Sequence, residues 1–191
     1  EANNTAIKGV AFKYKNRGNR IISTQLEHSS VIAPLNYLSD LGFDVEFVKL
    51  DSEGRVDLED FKRLIDDNTI LVTIASVNSE VGIKQPIKEI SEIVKNYPKC
   101  LFHSDITQAI GKVKVDLTNV DLASFSAHKI YGFKGIGCLI KKENIEIKTL
   151  NMSSNGILMK ADSGSFSEEG SWDRDGCPRR KVAQTGEPAG A

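Results

Sequence analysis

A three-layer α/β fold, with a mainly parallel sheet and helices on both faces, is the architecture this 191-residue chain predicts. Three observations carry that reading. Residues 70–77, Ile-Leu-Val-Thr-Ile-Ala-Ser-Val, are nearly continuous apolar sequence, as expected of a strand buried on both faces in a parallel sheet. Strand-like runs alternate with segments of helical spacing, which implies a parallel sheet flanked by helices. Each strand-like run also ends in polar residues, and open α/β sheets bind ligands at that edge.

Taken in order, residues 1–17 read as a helix closed by Gly18. Arg20-Ile-Ile-Ser-Thr-Gln-Leu26 is a strand ending in Glu27-His28-Ser29. The next helix starts near Ser29, carries Pro34 early and stops at Gly42. Val45-Glu-Phe-Val-Lys-Leu50 alternates as a strand, and Asp57 caps a helix through Leu58, Phe61, Leu64 and Ile65. The run at 70–77 ends in the polar turn Asn78-Ser-Glu-Val-Gly82. Pro86 opens a helix on Ile87, Ile90, Ile93 and Val94, and Pro98 closes it. Cys100-Leu-Phe-His-Ser-Asp105 and Val120-Asp-Leu-Ala-Ser-Phe125 are short strands. A glycine-rich turn and a last strand follow, through Ile140. Gly132, Gly135 and Gly137 lack the Gly-x-Gly-x-x-Gly order and open no helix, so they read as turn glycines.

The groups at the strand ends carry the chemistry. They are the imidazole of His28, the polar Asn78-Ser79 pair, the carboxylate of Asp105 and the amide of Gln108, then Ser126, His128 and Lys129. Pyridoxal phosphate requires such a set: an anion for its pyridinium nitrogen, donors for its oxygens, a plane for its ring and a lysine for its aldehyde. A lysine desolvated at a strand end becomes a nucleophilic amine that forms Schiff bases. Each residue also has a plainer reading. Lys129 alone reads as a solvated loop lysine. Asp105 reads equally as a helix N-cap. His28 could cap the helix it precedes, Gln108 could be an ordinary first-turn residue, and Ser126 an alternating strand hydroxyl.

Five segments taken together resemble the large domain of NifS/IscS-type cysteine desulfurases, within the class V aminotransferase family of fold-type I enzymes. They are Glu1-Ala-Asn-Asn-Thr-Ala-Ile-Lys-Gly9, Thr24-Gln-Leu-Glu-His28, Val77-Asn-Ser-Glu-Val-Gly82, His103-Ser-Asp-Ile-Thr-Gln-Ala-Ile-Gly-Lys112 and Ser124-Phe-Ser-Ala-His-Lys-Ile-Tyr-Gly-Phe-Lys-Gly-Ile-Gly137. The resemblance runs without large gaps from Glu1 to about Leu150. It implies that Lys129 holds pyridoxal 5'-phosphate as a Schiff base and that His28 stacks on the ring. Asp105 would pair with the ring nitrogen, Gln108 with the ring hydroxyl oxygen, and Ser126 and His128 with the phosphate. The family's ring-contacting asparagine falls on Ser79, one residue after Asn78. That departure leaves three readings: a lost contact, a bridging water, or a shifted Asn78.

The resemblance further implies a parent enzyme that takes sulfur from L-cysteine, leaving alanine and an enzyme persulfide, for iron–sulfur cluster or thio-cofactor synthesis. Its partners would be sulfur-acceptor or scaffold proteins and a second copy in a homodimer. Alternatives are a selenocysteine lyase, another class V transaminase, or an inactive truncated domain acting only as a binding module. The family's glycine-alanine-threonine phosphate turn lies just before the segment matched by Glu1, and its mobile cysteine and small domain lie downstream. The chain therefore reads as a large-domain fragment, inactive alone, with 1–150 as the partial cofactor domain. Residues 151–191, rich in Gly, Ser and charge with no sustained period, read as an unmatched, disordered tail. None of Cys100, Cys138 and Cys177 stands in a matching motif.

Composition excludes little else. A net charge of −1 gives no nucleic-acid or membrane signal, no metal-ligand cluster is legible, and no apolar run is long enough to span a bilayer. Three unpaired-looking cysteines and no signal peptide predict a reducing cytoplasmic setting.

Overall fold

The computed structural model describes residues 1–148. The expected tail at 151–191 lies outside the described residues. One six-stranded sheet runs through the structure in the order β2-β1-β3-β4-β5-β6. The strands are β1 (Arg20–Ser23), β2 (Asp44–Phe47), β3 (Thr69–Thr73), β4 (Leu101–Asp105), β5 (Leu122–Ser126) and β6 (Gly137–Lys141). The first five pair in parallel and β6 returns antiparallel to β5. Four α-helices flank the sheet: α1 (Ala2–Tyr14) precedes β1, and α2 (Ser29–Asp40), α3 (Leu58–Leu64) and α4 (Ile87–Val94) lie in the crossovers into β2, β3 and β4.

Both faces of the sheet are buried, as the run at 70–77 requires. Consecutive strand residues point to opposite faces, and the strands feed two cores. Ile21, Leu71, Leu101, Leu122 and Leu139 pack with Ile7, Val10, Val31, Leu35 and Leu38 of α1 and α2. Ile22, Val72, Phe102 and Ala123 pack with Phe61, Ile90 and Val94 of α3 and α4. Burying a side chain such as Phe61 or Leu35 stabilises the fold by about 1.5–3 kcal/mol relative to its exposure.

The punctuation follows the sequence. Asp57 accepts from the backbone N–H of Glu59 at 2.9 Å and of Asp60 at 3.2 Å, capping α3. Gly42 has φ +88°, the left-handed conformation that ends α2. Several elements are shorter than their patterns, β3 among them, since it ends at Thr73 and not at 77. β1 stops at Ser23, because Thr24 begins a turn that carries the chain to His28. β2 stops at Phe47, beyond which Leu50 only bridges to Val56. Arg20 donates to Asp44 at 2.7 Å and to Asp66 at 2.6 Å, tying β2 and the turn before β3 to the start of β1. Among the described residues, no helix is long and apolar enough to cross a membrane.

Gly18 is a test of this packing. A Cβ there would lie 2.2 Å from the carbonyl oxygen of Asn68, which is backbone and cannot turn aside. Gly18→Ala is expected to cost at least about 1–3 kcal/mol, the range for overpacking. Urea denaturation checks it; a variant as stable as the wild type would show that the α1–β1 and α3–β3 connections do not approach this closely.

Candidate functional site at the carboxyl edge of the sheet

Parallel strands deliver their carboxyl ends to one side, so the polar residues following β1, β3, β4 and β5 share an edge. Asp105, the last residue of β4, is buried beside Ser124 of β5. Its Oδ1 accepts from the Thr107 N–H at 2.9 Å, an N-cap-like contact. Its Oδ2 accepts at 2.8 Å from Nδ2 of Asn3, in the first turn of α1. The same Asn3 Nδ2 donates to Ser30 Oγ at 2.8 Å, and Asn3 Oδ1 accepts from Ser124 Oγ. Behind Ser124 lies His103, fully buried, with Nε2 3.0 Å from Ser124 Oγ and Nδ1 2.8 Å from Thr73 Oγ1. Burial pushes the His103 imidazole down to about 4, against a small upward pull from Asp105, so the ring is neutral.

His28 caps α2. Its Nδ1 accepts from the Ser30 N–H at 3.1 Å and pairs with Ser30 Oγ at 2.8 Å, which leaves the rest of the exposed ring facing out. The loop bearing His28 is clamped twice. Glu27 accepts from the Ala75 N–H at 3.0 and 3.1 Å and from Thr24 Oγ1 at 2.8 Å. Asn78 Nδ2 donates to the Leu26 carbonyl at 2.6 Å. Burial is the main reason the Glu27 carboxyl is pushed up to about 7; the two hydrogen bonds oppose it and the charge of Asp105 adds to it.

The other expected site residues are distributed as follows. Asn78 is buried and its amide is committed, since Oδ1 also accepts from the Glu80 and Val81 N–H groups at 2.8 and 2.9 Å. Ser79 beside it is exposed. Gln108 is half-buried, with Oε1 accepting from Lys112 Nζ at 2.9 Å. Ser126 ends β5, and His128 and Lys129 lie in the single 3-10 turn Ala127–Ile130 that follows it. Lys129 is exposed rather than buried as its strand-end position suggested, because β5 ends at Ser126 and the turn carries the lysine past the sheet edge. Among the described residues its amine makes no hydrogen bond or ion pair. Gly132, Gly135 and Gly137 do lie in or after this turn, not in a helix-opening loop.

Neither described cysteine is an activated thiol. Burial raises Cys100 far above the ordinary thiol value, with Asp121 adding to it, and burial raises Cys138 as well. Cys177 lies outside the described residues. No group of three or more His, Cys, Asp or Glu able to hold a metal occurs among the described residues.

The donor set fits pyridoxal phosphate. A carboxylate offers about four acceptor sites, of which Asp105 spends two on Asn3 and Thr107. It can still accept from a ring N–H. An exposed imidazole, an exposed hydroxyl and an uncommitted amine share its edge. Sequence reasoning passed over Asn3, Ser124, His103, Thr73 and Glu27 as site residues. Polar residues at helix-facing or strand-interior positions were the available signal, as in Thr73, His103 and Ser124 inside otherwise apolar strands.

Comparison with known proteins identifies the family and agrees with the fold. The family described as Aminotransferase class-V matches residues 1–170. A protein named cysteine desulfurase IscS, from Buchnera aphidicola subsp. Schizaphis graminum, is 46% identical over 158 residues, covering 82% of this chain and 39% of its own length. A mitochondrial cysteine desulfurase of Eremothecium gossypii is 45% identical, over 82% of this chain and 32% of its own. The chain thus spans about two fifths or less of the length of these curated relatives. Among solved structures, a NifS-like protein superposes with a TM-score of 0.76 at 40% identity, covering 80% of this chain and 43% of that one. A structure described as SspA in complex with cysteine superposes at 0.68 with 36% identity, covering 72% and 40%.

The two perturbed buried groups predict opposite pH dependences. Folded Glu27 keeps a proton up to about pH 7 that the unfolded chain releases near 4.5, so rising pH through that window removes stability. Folded His103 refuses, down to about pH 4, a proton that the unfolded chain takes near 6.5, so falling pH through that window removes stability. Glu27→Gln is expected to gain stability relative to wild type as pH rises from about 5 to about 7.5. Thermal melts across that range check it; a constant difference would show that Glu27 is ionised throughout.

Proposed function

The chain belongs to the class-V aminotransferase family, and from that premise we propose that it supplies the cofactor-binding part of a pyridoxal-phosphate-dependent cysteine desulfurase. The observation that carries the reading is the shared edge. Asp105 ends one parallel strand and His28 and Lys129 follow two others; Asp105 and His28 have contacts on the protein side and free capacity on the other, and the Lys129 amine is uncommitted among the described residues. The names of the similar curated proteins favour desulfuration over a selenocysteine lyase or another class V transaminase.

In this reading Lys129 supplies the amine that fastens the cofactor. Asp105 accepts a hydrogen bond from the ring N–H and keeps that nitrogen protonated. His28 lies against the ring, and Gln108 and Ser79 address the ring oxygen. Ser79 is assigned here because Asn78 already spends both ends of its amide on the loop it closes. Ser126 and His128 bind the phosphate. When bound, the cofactor supplies an electron sink that stabilises negative charge developing on an amino-acid substrate. A persulfide-forming cysteine would come from outside residues 1–148, since burial leaves the thiols of Cys100 and Cys138 protonated at neutral pH. We assign the cofactor domain to 1–150, L-cysteine as the substrate, sulfur-acceptor proteins as partners and a homodimer as the assembly.

Borohydride reduction in the presence of pyridoxal phosphate, followed by peptide mass spectrometry, tests the lysine assignment. The pyridoxyl group is expected on Lys129, with the visible absorbance of covalently held cofactor lost in Lys129→Ala and kept in Lys134→Ala. Lys134 lies in the exposed turn between Phe133 and Gly135, past the 3-10 turn that holds Lys129. Label on Lys134 instead, or none on either, would overturn the assignment.

A further inference from the structure

The polar contacts beneath the site run in one direction, and their direction can be derived. The Asp105 carboxylate only accepts, so the Asn3 atom 2.8 Å from its Oδ2 is the amide nitrogen. Asn3 Oδ1 then faces Ser124, which must donate its single hydroxyl proton. Ser124 Oγ can therefore only accept from His103, which fixes the neutral imidazole with its proton on Nε2. His103 Nδ1 accepts from the Thr73 hydroxyl. On the outer side, the second proton of Asn3 Nδ2 goes to Ser30 Oγ, and Ser30 donates its own to His28 Nδ1. His28 thus carries its proton on Nε2. One unbroken chain joins Thr73 in β3, His103 in β4, Ser124 in β5, Asn3 in α1, and Ser30 and His28 at the start of α2. Asp105 is its one branch.

We propose that Asn3 is a positioning residue for this site. Its single amide group holds the Asp105 carboxylate and the Ser30–His28 pair in fixed register. The acceptor for the ring nitrogen and the imidazole for the ring face then meet the same cofactor. The sequence separations show what this one side chain spans: 102 residues to Asp105 and 27 to Ser30. Asn3 is buried and both ends of its amide are used, so its geometry is set from behind by Ser124 and the neutral His103. This inference rests on the pyridoxal-phosphate reading for its purpose, not for its geometry.

Two variants test it. Asn3→Asp keeps the shape but replaces the donor to Asp105 with a second acceptor. The two carboxyls are then expected to share one proton, so that in carbon-13 spectra the second titration step of the pair rises well above the carboxylate range. Pyridoxal phosphate affinity is expected to fall roughly tenfold near pH 8 and to recover toward wild type near pH 5.5, where the introduced carboxyl is protonated and donates again. Glu27 and His103, which feel the Asp105 charge, titrate in both proteins, so the carbon-13 titration of the introduced pair, read site by site, is the measurement that separates them from it. Ser30→Ala, at a half-buried position, removes the acceptor for the second Asn3 proton; it is expected to lower the melting temperature by no more than a few degrees and to weaken cofactor binding several-fold by releasing His28. Ordinary carboxyl titrations in Asn3→Asp, an affinity ratio flat with pH, or unchanged affinity in Ser30→Ala would each overturn the proposal. A wild-type chain that binds no pyridoxal phosphate would refute the proposed function instead, and the carboxyl titrations alone would then decide the role of Asn3.

Discussion

Burial of the sheet on both faces is the constraint on which everything else depends. With α1 and α2 over one face and α3 and α4 over the other, the strand interiors admit few polar groups. Polar side chains are driven to the strand ends. Because the first five strands are parallel, those ends lie at one edge. The site is thus a by-product of the way the core is covered, and its residues sit where the backbone leaves the sheet.

The exceptions to that rule explain the rest of the site. Thr73, His103 and Ser124 are polar, fully buried and laid across three adjacent strands. An unsatisfied polar group in such a place costs about 1–3 kcal/mol. Each is satisfied by its neighbour, so none can change its protonation or rotamer independently. Among the described residues no buried side-chain polar atom lacks a partner. Thr73, His103 and Ser124 form a connected row that continues through Asn3 to Asp105 and to the Ser30–His28 pair, and it gives the edge a rigid backing.

Most of the fold was legible because its signals are local. The apolar run at 70–77, the Asp57 cap, Pro86 and Gly42 each act within a few residues, and the elements they mark are present. The strand-end residues were legible for the same reason, as polar groups after apolar runs. Asn3 was not legible as a site residue, since its partners are Asp105, Ser30 and Ser124, brought together only by the crossovers. The exposure of Lys129 was misjudged because the turn after Ser126 sets it, and no periodicity reports on a single 3-10 turn. The commitment of Asn78 to its own loop was hidden likewise, in hydrogen bonds to Leu26 and to the two residues that follow Ser79.

The antiparallel return of β6 along β5 separates the site in time as well as in space. Ser126 pairs with Gly137 and Ala127 with Ile136, so the segment carrying Lys129 is closed by a local hairpin. Hairpins form in roughly 1–10 μs. The other strand-to-strand ladders among the described residues are parallel and wait on longer crossover connections, whose loop-closure entropy slows their assembly. The Asn3–Asp105 contact must wait for the amino-terminal helix to dock against strands a hundred residues downstream. Folding therefore completes the arm that carries Lys129 early and the wall that carries Asp105 late, so the two halves of the candidate site come from separate stages of assembly.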